Sequence, residues 1–201
     1  MNKCLMTILV LAPSVVPVAG ADKTPPFKAK PVDDYEAKVA LDKVAIAFDP
    51  VDTAERQKEI FGKVPLAQFH VLPVLLVIEN RRSTPLDLKA MKVLYRPRGG
   101  QEIEATPVGD VRFLDGPSRP NVASQPFPIP VPVRGKKSKL ADSIIEERAF
   151  AAKMIAPGES ATGFVYFWTD YHGPVTLTVS GLRDAAEAKD LFFFEVPVTH
   201  R

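Results

Sequence analysis

Cysteine is almost missing from this chain: one residue in 201, at position 4, inside a stretch that reads as an export signal. Lys3 supplies the positive start, Cys4 to Val18 is nearly unbroken apolar sequence, and Ala19-Gly20-Ala21 gives the small-x-small pattern of a cleavage point. The expected signal therefore covers residues 1–21, the mature chain begins at Asp22, and its expected location is the periplasm or outside the cell. Cys4 sits beside Lys3 rather than at the cleavage point, so no lipid attachment is expected. The stretch is also too short, and too interrupted by Pro13 and Pro17, to span a membrane. With Cys4 removed, disulfides, a cysteine nucleophile and thiolate metal ligation are all excluded. Residues 22–201 must then be held by a core, and they are numerous enough to bury well over half of their surface as one domain.

An excess of either charge is missing too. Lys and Arg number 26 against 24 Asp and Glu, which excludes the basic footprint of a nucleic-acid binder. Histidine is scarce, and His70, His172 and His200 lie far apart, whereas zinc and copper sites draw on clustered donors. They are read as separate surface or strand-end residues, and no metal or cofactor is expected. Proline is what the chain has in abundance, 20 residues, roughly twice the usual frequency. Its spread argues against long helices and for many short strands with rigid connections.

Residues 22–37 carry prolines without an apolar period and read as an extended leader. Val39 to Phe48 has strand alternation. Asp52-Thr53-Ala54-Glu55 has the form of a capping box and opens a short surface helix that Gly62 stops. Leu72 to Ile78 is apolar on both alternating faces, the pattern of a strand covered on both sides, with Pro73 marking its start, a bulge or an edge. Leu86 to Tyr95 alternates with a slip near Lys89-Ala90-Met91 that predicts a β-bulge, and a further strand is expected at Gln101 to Ala105. The alternation of Pro126, Pro128, Pro130 and Pro132 with Phe127, Ile129, Val131 and Val133 favours an extended polyproline-like conformation. Ser138 to Glu147 fits a short helix. Phe150 to Ile155, Phe164 to Trp168, Val175 to Ser180 and Leu191 to Val198 are strand-like, with Pro157-Gly158 suited to the middle of a type II turn.

The segments Leu76-Val77-Ile78-Glu79-Asn80 and Pro85-Leu86-Asp87-Leu88 resemble the first hairpin of immunoglobulin-like domains in exported bacterial proteins. Pro157-Gly158-Glu159-Ser160, Gly163-Phe164-Val165-Tyr166-Phe167 and Leu191-Phe192-Phe193-Phe194-Glu195 resemble their closing strands. The likeness is architectural, covers about two-thirds of the mature chain and carries no functional residue with it. It implies a mainly β protein over residues 38–201, an immunoglobulin-like antiparallel β-sandwich of about seven strands with one or two short helices in its connections.

Two segments are candidates for binding. Trp168-Thr169-Asp170-Tyr171-His172-Gly173-Pro174 puts aromatic rings, a carboxylate and an imidazole in a loop at a sandwich end, where such folds carry recognition. The competing reading is that Trp168 finishes the core face of its strand and the rest is a turn. In the second segment the apolar ridge with Phe127 and Ile129 leads into the cations Arg134, Lys136, Lys137 and Lys139. It suits the grip of a partner or the anionic surface of an envelope membrane, or else it is a crossover that covers one sheet face. The expected role is a non-catalytic binding or assembly module of the cell envelope, whose partner is another envelope protein or a surface component. The alternative is a proteinase inhibitor or enzyme regulator presenting Phe127 to Val133.

Signatures of catalysis are poor. Gly158-Glu159-Ser160-Ala161-Thr162-Gly163 approaches a nucleophile elbow, but its second glycine is one residue late and a strand follows where a helix belongs. A serine hydrolase built on Ser160 with a distant histidine is the third-ranked reading. Asp33-Asp34 and Glu146-Glu147 are read as solvated acids. Gly135-Lys136-Lys137-Ser138 fails as a phosphate loop because Pro130 stands where its first glycine should be.

Overall fold

In a computed structural model, which describes residues 27–115 and 138–199, the alternating apolar segments become strands that pair antiparallel. In chain order these are β1 (Ala37–Leu41), β2 (Val44–Pro50), α1 (Ala54–Phe61), β3 (Val71–Asn80), β4 (Leu86–Asp87), β5 (Lys92–Pro97) and β6 (Ile103–Glu104). There follow α2 (Val108–Val111), α3 (Ser143–Arg148), β7 (Met154–Ile155), β8 (Ser160–Trp168), β9 (Val175–Ser180), β10 (Arg183–Asp184), β11 (Lys189–Asp190) and β12 (Phe194–Val198). The expected signal with Cys4, the proline-rich segment with Phe127, Ile129, Arg134, Lys136 and Lys137, and His200 lie outside the described residues.

Three four-stranded sheets result, in the orders β1-β2-β3-β8, β12-β9-β5-β6 and β11-β10-β4-β7. Between the first two lies the main core. Ile46 and Phe48 of β2 and Leu72, Val74, Leu76 and Ile78 of β3 meet Val93, Tyr95, Leu177, Val179 and Val196 of the second sheet. Leu86, Ile155 and Leu182 close this core beside the small third sheet. The protein is thus a mainly β, antiparallel sandwich, as expected.

The intervening positions of the same strands point the other way. Ala45, Ala47, Leu75 and Val77, with Phe164 and Tyr166 of β8, form a second core. It is covered by Val32, by Ile60 and Phe61 of α1, by Val111 of α2, and by Leu140 and Ile145 around α3. Strand β3 is therefore buried on both faces, as its unbroken apolar sequence requires. A two-layer account is incomplete, because helices and connections add a third layer. Part of the leader expected over residues 22–37 belongs to that cover: Val32 is buried in a 3-10 turn, Val32–Asp34, and Ala37 already pairs with Phe48.

Several local expectations are corrected. The strand read over Val39 to Phe48 is a hairpin. Asp42 and Lys43 take left-handed φ values of 49° and 59°, the two-residue turn that matches strand twist, without the glycine that usually announces it. The slip near Lys89-Ala90-Met91 is not a bulge, since β4 lies in the small sheet and β5 in the second sheet, and the chain changes sheet between them. The α1 cap is Thr53, whose hydroxyl accepts the Arg56 N–H, rather than Asp52. The α3 cap is Asp142, so the helix starts later than Ser138. Pro157-Gly158 makes its turn as expected, with Gly158 at φ 75° and the Glu159 N–H donating to the Ala156 carbonyl.

Pro73 sits inside β3, paired with Tyr166. Its carbonyl accepts the Val51 N–H at 2.9 Å, but proline has no N–H to return to the Val51 carbonyl. The Gln57 side-chain amide of α1 fills that vacancy, donating to Val51 O at 2.9 Å. Arg56 donates to the Pro50 carbonyl beside it. The helix thus completes the ladder where proline interrupts it.

At the opposite end of β3 a buried polar cluster joins the sheets. The Asn80 amide donates to the carbonyls of Thr84 and Ile155 and accepts the Arg82 N–H. Arg82 spans from Asp42 to the fully buried Asp184. The Asp184 carboxylate also accepts the Thr84 hydroxyl and the N–H groups of Ala186 and Glu187. These bonds, led by Thr84, hold its pKa well below the usual carboxylate range. A depressed folded-state pKa gives stability that is present above the unfolded value, about 3.9, and lost as pH falls below it. Asp184→Asn should lower the melting temperature near neutral pH and flatten its decline below about pH 4, measured by thermal melts across pH.

The outer edge of β8 is closed by two passing segments. Thr106 donates to the Tyr166 carbonyl and Phe150 to the Phe164 carbonyl. The second passes so close that a Cβ on Gly163 would stand 2.4 Å from the Phe150 Cα. Gly163→Ala should cost about 1–3 kcal/mol in chemical denaturation. Gly109→Ala, with open space around it, should leave stability level or raise it slightly.

Candidate functional site

Register brings the candidate loop together with a residue that the sequence left isolated. Val71 pairs with Trp168 at the last rung of the β3–β8 ladder, so His70, just before β3, stands beside the loop over residues 169–174. His70 closes the 3-10 turn Leu66–Phe69 in a left-handed conformation, φ 56°, with its N–H bonded to the Ala67 carbonyl. That geometry turns its ring toward the loop, and Nδ1 lies 2.8 Å from Asp170 Oδ2. With the proton on Nδ1, the imidazole donates to the carboxylate and leaves Nε2 as an acceptor.

The loop itself is anchored from below. Tyr95 is fully buried in the main core, yet its hydroxyl accepts the His172 N–H at 3.0 Å. Burial raises the Tyr95 pKa, so the phenol stays neutral. The Arg98 N–H donates to the Pro174 carbonyl, tying the β5–β6 turn to the same end. The Thr169 hydroxyl donates to the Asp170 carbonyl. Tyr171 packs partly against the main core, and the end of its ring lies close over Gly173. The Gly173-Pro174 peptide is cis.

Trp168 does not finish the core, which overturns that reading of the loop. It lies on the same side of β8 as Phe164 and Tyr166, but the helical cover ends before reaching it, and the residue is 61 % exposed. The structure thus gathers Trp168, Asp170, Tyr171 and His172 at one end of the sandwich and adds His70 to them. The link to His70 was available in principle. Two strongly apolar segments of the mature chain, paired antiparallel, bring residue 71 opposite residue 168 and so set residue 70 beside the loop.

An indole face, two carboxylate oxygens and an imidazole are presented here on fixed backbone. The surroundings are wet: the His70 and Asp170 side chains are 66 % and 54 % exposed. Among the described residues no three His, Cys, Asp or Glu side chains group as metal ligands. Ser160 starts β8 and Trp168 ends it, so eight strand steps, about 26 Å, separate that serine from the end holding His70 and His172. The paired acids also divide: Asp33 binds Arg81 at 2.7 Å, while Glu146 and Glu147 lie on α3. Among the described residues no helix is long and apolar enough to cross a membrane.

Compared with known proteins, the chain matches no family model and no curated sequence.

Because the His70–Asp170 pair is exposed, it contributes no more than about 1 kcal/mol. Asp170→Ala should shift the melting temperature by at most ~3 °C. Tyr95→Phe should cost about 1 kcal/mol and speed hydrogen exchange at the His172 amide, because it strips the loop of its internal anchor.

Proposed function

We propose that the protein is an exported, non-catalytic recognition module of the cell envelope, immunoglobulin-like in architecture. Its binding surface is the sandwich end carrying Trp168, Asp170, Tyr171 and His172, with His70 alongside. The observation that carries this reading is the 61 % exposure of Trp168, the only tryptophan in the chain. Tryptophan joins a large apolar face to one N–H donor, which suits it to contact with an amphipathic partner. Hydrogen-bonding groups of both kinds surround it, on a loop whose backbone is already fixed. Preorganisation of that sort lowers the entropic cost of binding. The partner is an envelope protein or surface component with an apolar or amphipathic face for the ring and polar groups for Asp170 and His70.

A photo-crosslinking residue placed at His172, in cells producing the protein, should yield a discrete product. The same residue at Leu41, exposed at the opposite end, should not. Trp168→Ala in the His172-labelled protein should abolish the product. Equal products from both positions, or persistence after Trp168→Ala, would rule the surface out.

A further inference from the structure

A second site lies at the open side of the sandwich, independent of the loop around Trp168. β1 and β12 are outer strands of the two large sheets and run close together without hydrogen-bonded pairing. Between them opens a cleft of about 310 Å³. Its inner lining is apolar: Phe48 and Val198, which belong to the main core and are 2 % and 1 % exposed, with Ala37 beside them. Its outer lining is polar and comes from the segment before β1, from the end of β2 and from α1: Lys30, Asp34, Glu36, Asp49 and Arg56.

The charges of that rim do not cancel. Arg56 is committed to Asp49 at 2.7 Å and to the Pro50 carbonyl, which leaves Lys30 facing two carboxylates, Asp34 and Glu36. Among the described residues these two hold no side-chain hydrogen bond or ion pair. Tyr35 lines the same cleft, and its hydroxyl accepts the Lys30 N–H at 2.9 Å. That bond uses an acceptor lone pair and leaves the phenolic O–H to donate. Burial raises the Tyr35 pKa, so the group remains protonated. An apolar floor and an anionic rim are thus combined in a volume at the lower end of the ~300–1,000 Å³ common for ligand pockets.

We propose that this cleft binds a primary ammonium group carrying a short apolar chain. The ammonium sits between Asp34 and Glu36, and the chain enters toward Phe48 and Val198. The leader segment is then a wall of a binding site as well as a connection. Two sources supply this chemistry, a small free amine or the amino end of a peptide with an apolar first residue.

Nuclear magnetic resonance on the isotope-labelled protein tests it at about pH 6.5, where the amine is charged. Leucinamide should perturb the amide signals of Tyr35, Glu36, Ala37 and Val198 and leave those of Trp168 and Asp170 unmoved. N-acetyl-leucinamide, which lacks the charge, should bind at least roughly ten-fold more weakly. The double variant Asp34→Asn, Glu36→Gln, both exposed positions, should weaken leucinamide roughly five-fold or more. Tighter binding of the tripeptide Leu-Ala-Ala than of leucinamide assigns a peptide amino end, and the reverse assigns a small amine. Absence of shifts at these amides, equal binding of the acetylated compound, or indifference to the double variant would overturn the proposal. Failure here leaves the crosslinking outcome at His172 untouched, because the two sites share no residue.

Discussion

A strand with an apolar side chain at nearly every position has to be covered twice, and β3 imposes that demand on everything around it. One face meets the second sheet; the other needs α1, α2, α3 and the segment around Val32. The layers follow from this. So does the position of α1, whose Ile60 and Phe61 dock on the sheet while Gln57 supplies the donor that Pro73 lacks. A proline in a strand flanked on both sides is ordinarily disfavoured. It is tolerated here at the rung where β2 has just ended and a helix side chain stands in for the missing N–H.

The two ends of β3 differ in kind. Near Asn80 the polar groups run inward from the half-exposed Asp42 through Arg82 to the buried Asp184, linked by hydrogen bonds that, among the described residues, leave only the Arg82 Nε without a partner. Removing one member leaves the others unpaired in a dry setting, so that end is specified by structure. Near Val71 the polar groups of His70 and Asp170 face water and hold each other only loosely. Little stability rests on them, and a neighbouring molecule can claim them at small cost. The proposed recognition surface lies at the second end, where Tyr95 supplies from the core the rigidity that the surface pair does not.

The coarse fold was legible because period-two alternation directly reports which residues share a face. The double apolar face of Leu72 to Ile78, the antiparallel β class and the turn at Pro157-Gly158 all followed from local pattern. Sheet membership did not. The slip near Ala90 is the same in sequence whether a strand bulges or the chain crosses to another sheet, and only pairing with β9 or with β10 tells them apart. The Asp42-Lys43 turn was hidden because neither residue is glycine, so the strand ran on unbroken in the pattern. Of the site, the loop from Trp168 to His172 was visible and the exposure of Trp168 was not. Exposure depends on where the helical layer ends, which is set by segments far from residue 168. His70 was missed for a related reason: its partner is decided by register between distant strands.

The separation of β3 from β8 along the chain carries a consequence for biogenesis. Any chain made from its amino end exposes Val71 to Asn80 long before Ser160 to Trp168 exists to pair with it. During that interval an unbroken oily ribbon has one open flank and an uncovered face. Non-local pairing of this sort is slow and prone to association with other half-made chains. The hairpin of β1 and β2 forms from neighbouring residues and pairs with β3 early. It is therefore the part of the molecule able to shield that ribbon while the remainder is still being synthesised.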